Sequence, residues 1–530
     1  MPKKTNWIQT HSLTPEKLDQ ALLILEEVRL GQPVLDAIRH HPGESGHVSK
    51  SMLVAAYNYM LASGEWQPDP ELQTRIRMKP IRTLSGVSTV TVLTKPYPCP
   101  ANCIFCPQDE SMPKSYLPDE PGAMRAVEHD FDPFDQVHSR LESLEAVGHP
   151  TDKVEVLILG GTWSAYRRDY QEWFVLHCMD ALNGTPSSTL AEAQALNETA
   201  RHRNVGLVIE TRPDEINPRE LAWLRELGVT RIQMGAQSLD DRILALNQRG
   251  HTSAETGQAV ALLRAAGFKI VLHWMPNLLG ATPASDRQDF KRLWVDLCPD
   301  EIKIYPCQLL ENAPLYAYWQ RGEYQPYSQE ELVSLLADIK PGIPRYCRVN
   351  RVIRDIPSTH VVSGNKRTSL RQDAQAEMAL RGTHCECIRC REVRDHAFES
   401  SDLRENDLLY TAGGAQEHFL SFVTTDDRLA AFIRLSLPGN TSPATGLPDL
   451  EGAAIIRELH VFGQSLAVGE DSTGSAQHTG LGTRLLKHAD ELARQNGFER
   501  LAVIAAVGTR PYYLERGFSR GNNYLVKTLN

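Results

Sequence analysis

From residue 89 the sequence repeats one phrase: a short apolar run, a polar turn, then an amphipathic segment stopped by glycine. The apolar runs are TVTVLT (89–94), KVEVLILGG (153–161), VGLVIE (205–210), RIQMGAQ (231–237), KIVLHWMPN (269–277) and EIKIYPC (301–307). Between them lie helical patterns such as NPRELAWLRELG and TGQAVALLRAAG, each closed by a glycine suited to a helix C-terminus. Six β/α units in succession predict a parallel barrel or partial barrel, with its site at the carboxyl ends of the strands. Six polar groups fall there: Cys99 to Cys106, Gly160–Gly161–Thr162, Glu210–Thr211–Arg212, Gln237–Ser238, Asn277 and Lys303–Tyr305. One polar strand end means little; six in register point to a site.

A chain of 530 residues exceeds one ordinary core, so other domains are expected around this barrel. Residues 1–75 read as helical. TPEKLDQALLILEEVRL opens on a Thr-Pro start, and SKSMLVAAYNYMLASG ends on glycine. A basic run follows, with Arg75, Arg77, Lys79 and Arg82 and no acid among them. The barrel is assigned to 76–338, an irregular Arg- and Cys-rich linker to 339–400, and a second, smaller α/β unit to 401–530. The start lacks the apolar core of a signal peptide and no apolar run could span a membrane, so a cytoplasmic protein is expected. There, ten cysteines clustered at short spacing read as metal or cofactor ligands rather than disulfides. A net charge of −10 does not advertise nucleic-acid binding, although a local basic surface could provide it.

Cys99, Cys103 and Cys106 form C-x3-C-x2-C with no fourth cysteine near. A zinc site usually reaches four ligands. Three thiolates on a four-iron, four-sulfur cubane instead leave one iron open to a small molecule. In the smaller unit, QHTGLGTRLL holds Gln477, Gly480 and Gly482 where a helix opens. Glycines there let backbone amides approach a pyrophosphate, whose charge the helix N-terminus favours. The long polar loop from Gly463 to His478 precedes that turn and could cover the site as a lid.

The cysteine triad after the first barrel strand, with GG after the second, resembles the radical S-adenosylmethionine (SAM) enzymes. The smaller unit resembles the Gcn5-related N-acetyltransferases. Both on one chain, with KPYPCP, LGGTW, IETRPDEIN, GVTRIQMGAQSLDD, HWMPNLLGATP, KIYP, CIRCREV, RELHVFG, QHTGLG and GTRPYY, resemble the catalytic subunit family of Elongator. The plain three-residue gap between the first two cysteines departs from the longer eukaryotic gap and matches a prokaryotic, stand-alone member.

The resemblance implies modification of carbon 5 of the tRNA wobble uridine, using acetyl-CoA and a 5'-deoxyadenosyl radical from SAM. It implies cluster ligation by Cys99, Cys103 and Cys106, with a reductant to supply the electron. Gly160, Gly161 and Thr162 would meet the methionine end of SAM, and Glu210, Gln237 and Met275 its ribose and adenine. Glu458, Leu459, His460 and Val461 would line acetyl-CoA, as would Gln477, His478, Thr479, Gly480, Leu481, Gly482 and Thr483. Lys303 would contact acetyl-CoA or the base, and Tyr512 or Tyr513 would approach the thioester. Arg75, Arg77, Lys79 and Arg82 would contact phosphates of the anticodon stem-loop, and the resemblance leaves room for a homodimer. Cys385, Cys387 and Cys390, with His384 beside them, look like a structural zinc site. Its fourth ligand is open among His384, Cys347 and Cys307, and a second iron–sulfur cluster is the runner-up there. Two rival functions remain: a protein lysine acetyltransferase with a merely structural barrel, and a tRNA-binding scaffold with two relic sites.

Overall fold

The computed structural model of the chain describes residues 14–42, 47–78, 83, 86–394, 398, 400–462 and 480–529. Among the described residues four helices come first, Pro15–Arg29, Val34–His40, Lys50–Ala62 and Pro70–Ile76. Three begin where a side-chain oxygen caps the first turn: Thr14 accepts from the Lys17 N–H, Ser49 from Met52 and Asp69 from Leu72. They close over a small core of their own that includes Ile24, Leu25, Leu53 and Tyr57.

Seven strands form the first sheet: β1 Ser88–Leu93, β2 Lys153–Leu159, β3 Arg203–Thr211, β4 Arg231–Gln237, β5 Lys269–Trp274, β6 Glu301–Ile304 and β7 Arg348–Val352. They pair in chain order, always parallel. Since β1 and β7 do not pair, the barrel stays open. The expected partial barrel is present, but with seven strands rather than six. β7 comes from the stretch read as irregular. Its sequence RVNRV carries no apolar run, because Arg348 pairs with Glu392 and Asn350 donates to Glu301 at 2.6 Å. Polar partners in the fold hold the rest of this strand, while only Val349 and Val352 are buried in the core.

The second sheet contains β8 Arg404–Ala412, β9 Ala415–Val423, β10 Leu429–Pro438, β11 Ala453–Val461, β12 Arg500–Val503, β13 Ser519–Arg520 and β14 Leu525–Thr528. Its order is β13-β14-β12-β11-β10-β9-β8, antiparallel except for β11 beside β12. The helix Leu481–Gln495 lays Leu485, Leu486, Ala489 and Ala493 on this sheet. No helix among the described residues is long and apolar enough to cross a membrane.

The second sheet sits under the floor of the barrel, where the strands begin. There Asp300, fully buried, accepts from Arg457 Nη1 at 3.1 Å and from the Ile270 N–H at 2.9 Å. Arg434 approaches it to 3.5 Å, and Glu417 accepts from Arg457 at 2.8 Å. A second group joins Lys269 to Glu301 at 2.7 Å and also to Glu458, which Arg434 meets at 2.9 Å. Asp300, Lys269 and Glu301 belong to the barrel; Arg434, Arg457, Glu417 and Glu458 belong to the second sheet.

Burial alone would raise the Asp300 carboxyl, but Arg457, Arg434 and Arg264 outweigh it and hold it down to about 2. That lies below the unfolded value of about 3.9, so the stabilisation is full above about pH 4 and lost as pH falls towards 2. Asp300→Asn should cost about 3–5 kcal/mol at neutral pH, because it strands buried arginines. Denaturant unfolding at pH 7 and pH 3 should show the gap between variant and wild type narrowing at the lower pH. Equal stability at pH 7 would contradict this account of the floor.

Candidate active site

A cavity of about 910 Å³ runs from the carboxyl ends of the barrel strands through the bore to the second sheet. Cys99, Cys103 and Cys106 lie at one end, Thr91, Arg231 and Gln233 between, and Glu458, Leu459, His460 and Tyr513 at the other. Fifteen Lys and Arg side chains line it against seven carboxylates, in a chain whose net charge is −10. The cavity therefore suits anionic ligands, and the whole-chain charge conceals this.

At the mouth, the Cys103 and Cys106 thiols are hydrogen-bonded to each other. That bond pulls the Cys103 thiol down, and Arg249, whose Nη1 lies 3.6 Å from its sulfur, adds to the effect. The same bond pushes the Cys106 thiol up. Cys99 faces the Thr162 hydroxyl at 3.7 Å. A single tetrahedral zinc would hold its sulfurs about 3.8 Å apart, given Zn–S bonds of about 2.3 Å. The described residues contain one three-ligand group of such compactness, Cys385, Cys387 and Cys390, within 4.8 Å of one another. The wider triad at the mouth, beside the cation of Arg249, fits a polynuclear cluster better than one ion.

Gly160 has φ +142°, and a Cβ there would lie 1.8 Å from Thr94 Oγ1. Only glycine fits, and the turn brings Gly161 and Thr162 to the cavity wall beside Cys99. Glu210 accepts from the Tyr116 hydroxyl at 2.8 Å and stands 3.4 Å from His273 Nδ1. Gln237 adopts φ +67°, its buried Oε1 without a partner, and its carbonyl accepts from the Met275 N–H at 2.7 Å. Lys303 Nζ donates to Gln233 Oε1, which His273 Nε2 meets at 3.0 Å. Burial, then the Lys303 charge, keeps the His273 imidazole neutral. Strand register explains the grouping, since His273 of β5 pairs with Lys303 of β6.

Sequence reasoning missed Tyr116, Gln233, His273 and Arg249. For Gln233 and His273 a signal existed: a polar residue in an otherwise apolar parallel strand. Tyr116 and Arg249 lie outside any periodic pattern.

In the second sheet, β11 pairs with β12 only through Ile456. The two strands part beyond it, leaving Glu458, Leu459 and His460 on the cavity wall. Gly480 caps the Leu481–Gln495 helix with φ +66°, and a Cβ on Gly482 would lie 2.6 Å from the Tyr512 hydroxyl. Tyr512 thus stands over the helix start, with the Arg516 guanidinium 3.7 Å from its ring. Tyr513 turns into the wall of the central cavity. Gln477, His478, Thr479 and the Gly463–His478 loop lie outside the described residues, as do Lys79 and Arg82.

Two other expected groups meet partners within the chain. Arg75 donates to the Val28 carbonyl and to that of Gln32 at 2.8 Å, and Arg77 to that of Gly148 at 3.0 Å. Both donate to backbone of the helical region and its junction with the barrel, which leaves fewer donors for a ligand. His384 has an 80% exposed side chain and lies 3.6 Å from Glu386, outside the thiol group. Cys307 packs with Cys103 and Leu309 at the barrel mouth, far from the linker set. Cys347 is buried, lies outside the compact thiol group, and its carbonyl accepts from the Ile388 N–H at 2.9 Å.

Residues 97–293 match the Radical SAM superfamily, 299–381 the Radical_SAM C-terminal domain and 387–518 the Acetyltransferase (GNAT) family. The chain is 42% identical to the tRNA uridine(34) acetyltransferase of Dehalococcoides mccartyi, over 85% of this chain and 99% of that one. It is 36% identical to the human Elongator complex protein 3, over 86% and 87%. Among solved structures it is similar to the archaeal Methanocaldococcus infernus Elp3 with an N-terminal deletion. The TM-score is 0.73 at 36% identity, covering 84% of this chain and 100% of that one.

Gly160→Ala should cost about 1–3 kcal/mol through backbone strain and the clash with Thr94. The turn should then shift away from Cys99. Thermal unfolding and SAM binding by calorimetry should both weaken; unchanged binding would contradict the role of this turn.

Proposed function

We infer the activity of a chain that belongs to the family of the tRNA uridine(34) acetyltransferases and Elongator complex protein 3: it modifies carbon 5 of the tRNA wobble uridine, with acetyl-CoA as the source of the added group. The single observation that supports this best is the shared cavity, in which a cysteine triad and the splayed β11 face one space. A protein lysine acetyltransferase would have no use for a cysteine triad opening on the same cavity, so that alternative is not favoured.

Cys99, Cys103 and Cys106 would hold the four-iron cluster, which when bound supplies the electron that cleaves SAM. Gly160, Gly161 and Thr162 would present backbone to the amino-acid end of SAM, and Glu210, Gln237 and Met275 would border its nucleoside. Glu458 to Val461 and the turn from Gly480 to Thr483 would carry acetyl-CoA, the turn by its amides and helix dipole. Tyr513, which lines the same cavity, would border the acetyl group, and Lys303 would meet the base or an acyl oxygen. The uridine must leave the anticodon stack to reach the mouth, which costs about a few kcal/mol and least in a single-stranded loop. The cationic lining offsets phosphate charge at the approach. These assignments suit a cytoplasmic enzyme supplied with a reductant.

The linker thiols of Cys385, Cys387 and Cys390 fit a structural zinc, since the three sulfurs already stand at single-ion spacing. Structural zinc contributes folding free energy directly, so Cys387→Ser should release the metal and loosen the 339–400 segment to proteolysis.

Anaerobic incubation with tRNA, SAM, acetyl-CoA and reductant, followed by nucleoside mass analysis, tests the function. The expected product is a uridine heavier by a carboxymethyl group. Cys103→Ala should lose both that product and 5'-deoxyadenosine while remaining folded. Continued 5'-deoxyadenosine formation by Cys103→Ala would refute the ligand assignment. Acetylated protein with unmodified tRNA would favour the lysine acetyltransferase.

A further inference from the structure

Two non-glycine residues at the barrel mouth hold a backbone conformation that side chains rarely take, Ser115 at φ +83° and Ile353 at φ +92°. Ser115 is the third residue of a tight turn, which the Tyr116 N–H closes on the Pro113 carbonyl at 3.1 Å. A positive φ at that place ordinarily selects glycine. Ile353 is β-branched, so its positive φ is a true outlier. Strained residues persist only where their surroundings over-determine them. One side chain links the two. Arg354, next to Ile353, donates from Nη1 to Ser115 Oγ at 2.8 Å and from Nη2 to the Ser115 carbonyl at 2.6 Å.

The surroundings of this fork are fixed as well. Buried Glu120 stands 3.3 Å from Arg354 Nη2 and accepts from the Leu117 N–H at 3.0 Å. His360 meets Asp119 at 2.6 Å. The loop that follows β1 is thereby tied to the chain that follows β7, although these two edge strands do not pair. Tyr116, directly after the strained Ser115, donates its hydroxyl to Glu210 Oε2 at 2.8 Å. The other oxygen of Glu210 faces His273 Nδ1 at 3.4 Å. Ser115, Tyr116, Glu210 and Arg354 all line the cavity.

We propose that Arg354 is a positioning residue for SAM: by clamping Ser115 in its strained turn it sets the Tyr116 hydroxyl on Glu210 and so orients that carboxylate. The proposal rests on the reading of Glu210 as a neighbour of the SAM nucleoside. A carboxylate held from both sides meets its ligand without first losing rotamer freedom. Without Arg354 the turn relaxes and carries the Tyr116 hydroxyl off Glu210. An arginine that served only to pair with Glu120 would leave Tyr116, and hence SAM, unaffected.

The test uses the full chain with its cluster reconstituted anaerobically and no reductant present. SAM affinity is read by calorimetry, with iron content and thermal unfolding alongside. Glu210→Gln checks the underlying reading and should weaken SAM binding. Tyr116→Phe, which keeps the ring and is safe for folding, should weaken it about tenfold, the scale of one hydrogen bond to a charged group. Arg354→Met should do the same with iron content unchanged. The two together should weaken binding no further than either alone, because they act through one contact. Adding Ser115→Gly to Arg354→Met should recover most of the loss, since glycine holds the turn without a clamp. Wild-type affinity in Tyr116→Phe and Arg354→Met, with Glu210→Gln weakened, would overturn the proposal and leave the SAM reading intact. Losses that multiply to about a hundredfold in the double variant would overturn it too. So would a failure of Ser115→Gly to restore binding, or a loss of iron in Arg354→Met. Wild-type affinity in Glu210→Gln would overturn both readings.

Discussion

The arrangement of this molecule depends on the buried ionic floor of the barrel. Asp300, on the barrel side, is met by Arg457 and Arg434 from the second sheet, and Glu458 by Lys269 of β5. Such a group gains little over an apolar contact of equal size, because desolvating each charge costs several kcal/mol. What it supplies is discrimination. A sheet docked one residue out of register would leave several charges buried and unmatched. The floor therefore fixes where β11 lies relative to the bore, and this makes one cavity out of two sites.

Much of the barrel was readable because parallel strands buried on both faces become apolar runs, and glycine ends the helices between them. RIQMGAQ is β4 residue for residue, from Arg231 to Gln237. β7 was not readable, since three of its five residues are Arg348, Asn350 and Arg351, which look like linker. The floor was equally hidden. Asp300 and Arg457 are far apart in sequence, and each alone reads as a surface charge. Their pairing is a property of the docked sheets, and no local pattern encodes it.

At the site, the motifs with fixed spacing were readable and the residues between motifs were not. The cysteine triad, Gly160–Thr162 and Gly480–Gly482 announce themselves because backbone geometry demands those residue types. His273 and Gln233 connect Glu210 to Lys303 only through strand register. In the basic run at 75–82, Arg75 and Arg77 have partners that no sequence pattern announces. Both donate to backbone carbonyls of segments distant in sequence. The cationic lining of the cavity is instead assembled from many separate elements, in a chain that is acidic overall.

If one cavity serves both chemistries, the two sites must lie on the same chain. The direct measurement mixes two variants, each inactive alone: Cys103→Ala, without a cluster, and Gly482→Glu, whose acetyl-CoA turn is blocked. Modified wobble uridine is then measured by nucleoside mass analysis. The account predicts none from the mixture at any ratio, with full product from wild type under the same conditions. Substantial product from the mixture would show that the two steps pass between molecules, and would contradict the shared cavity as the place of reaction.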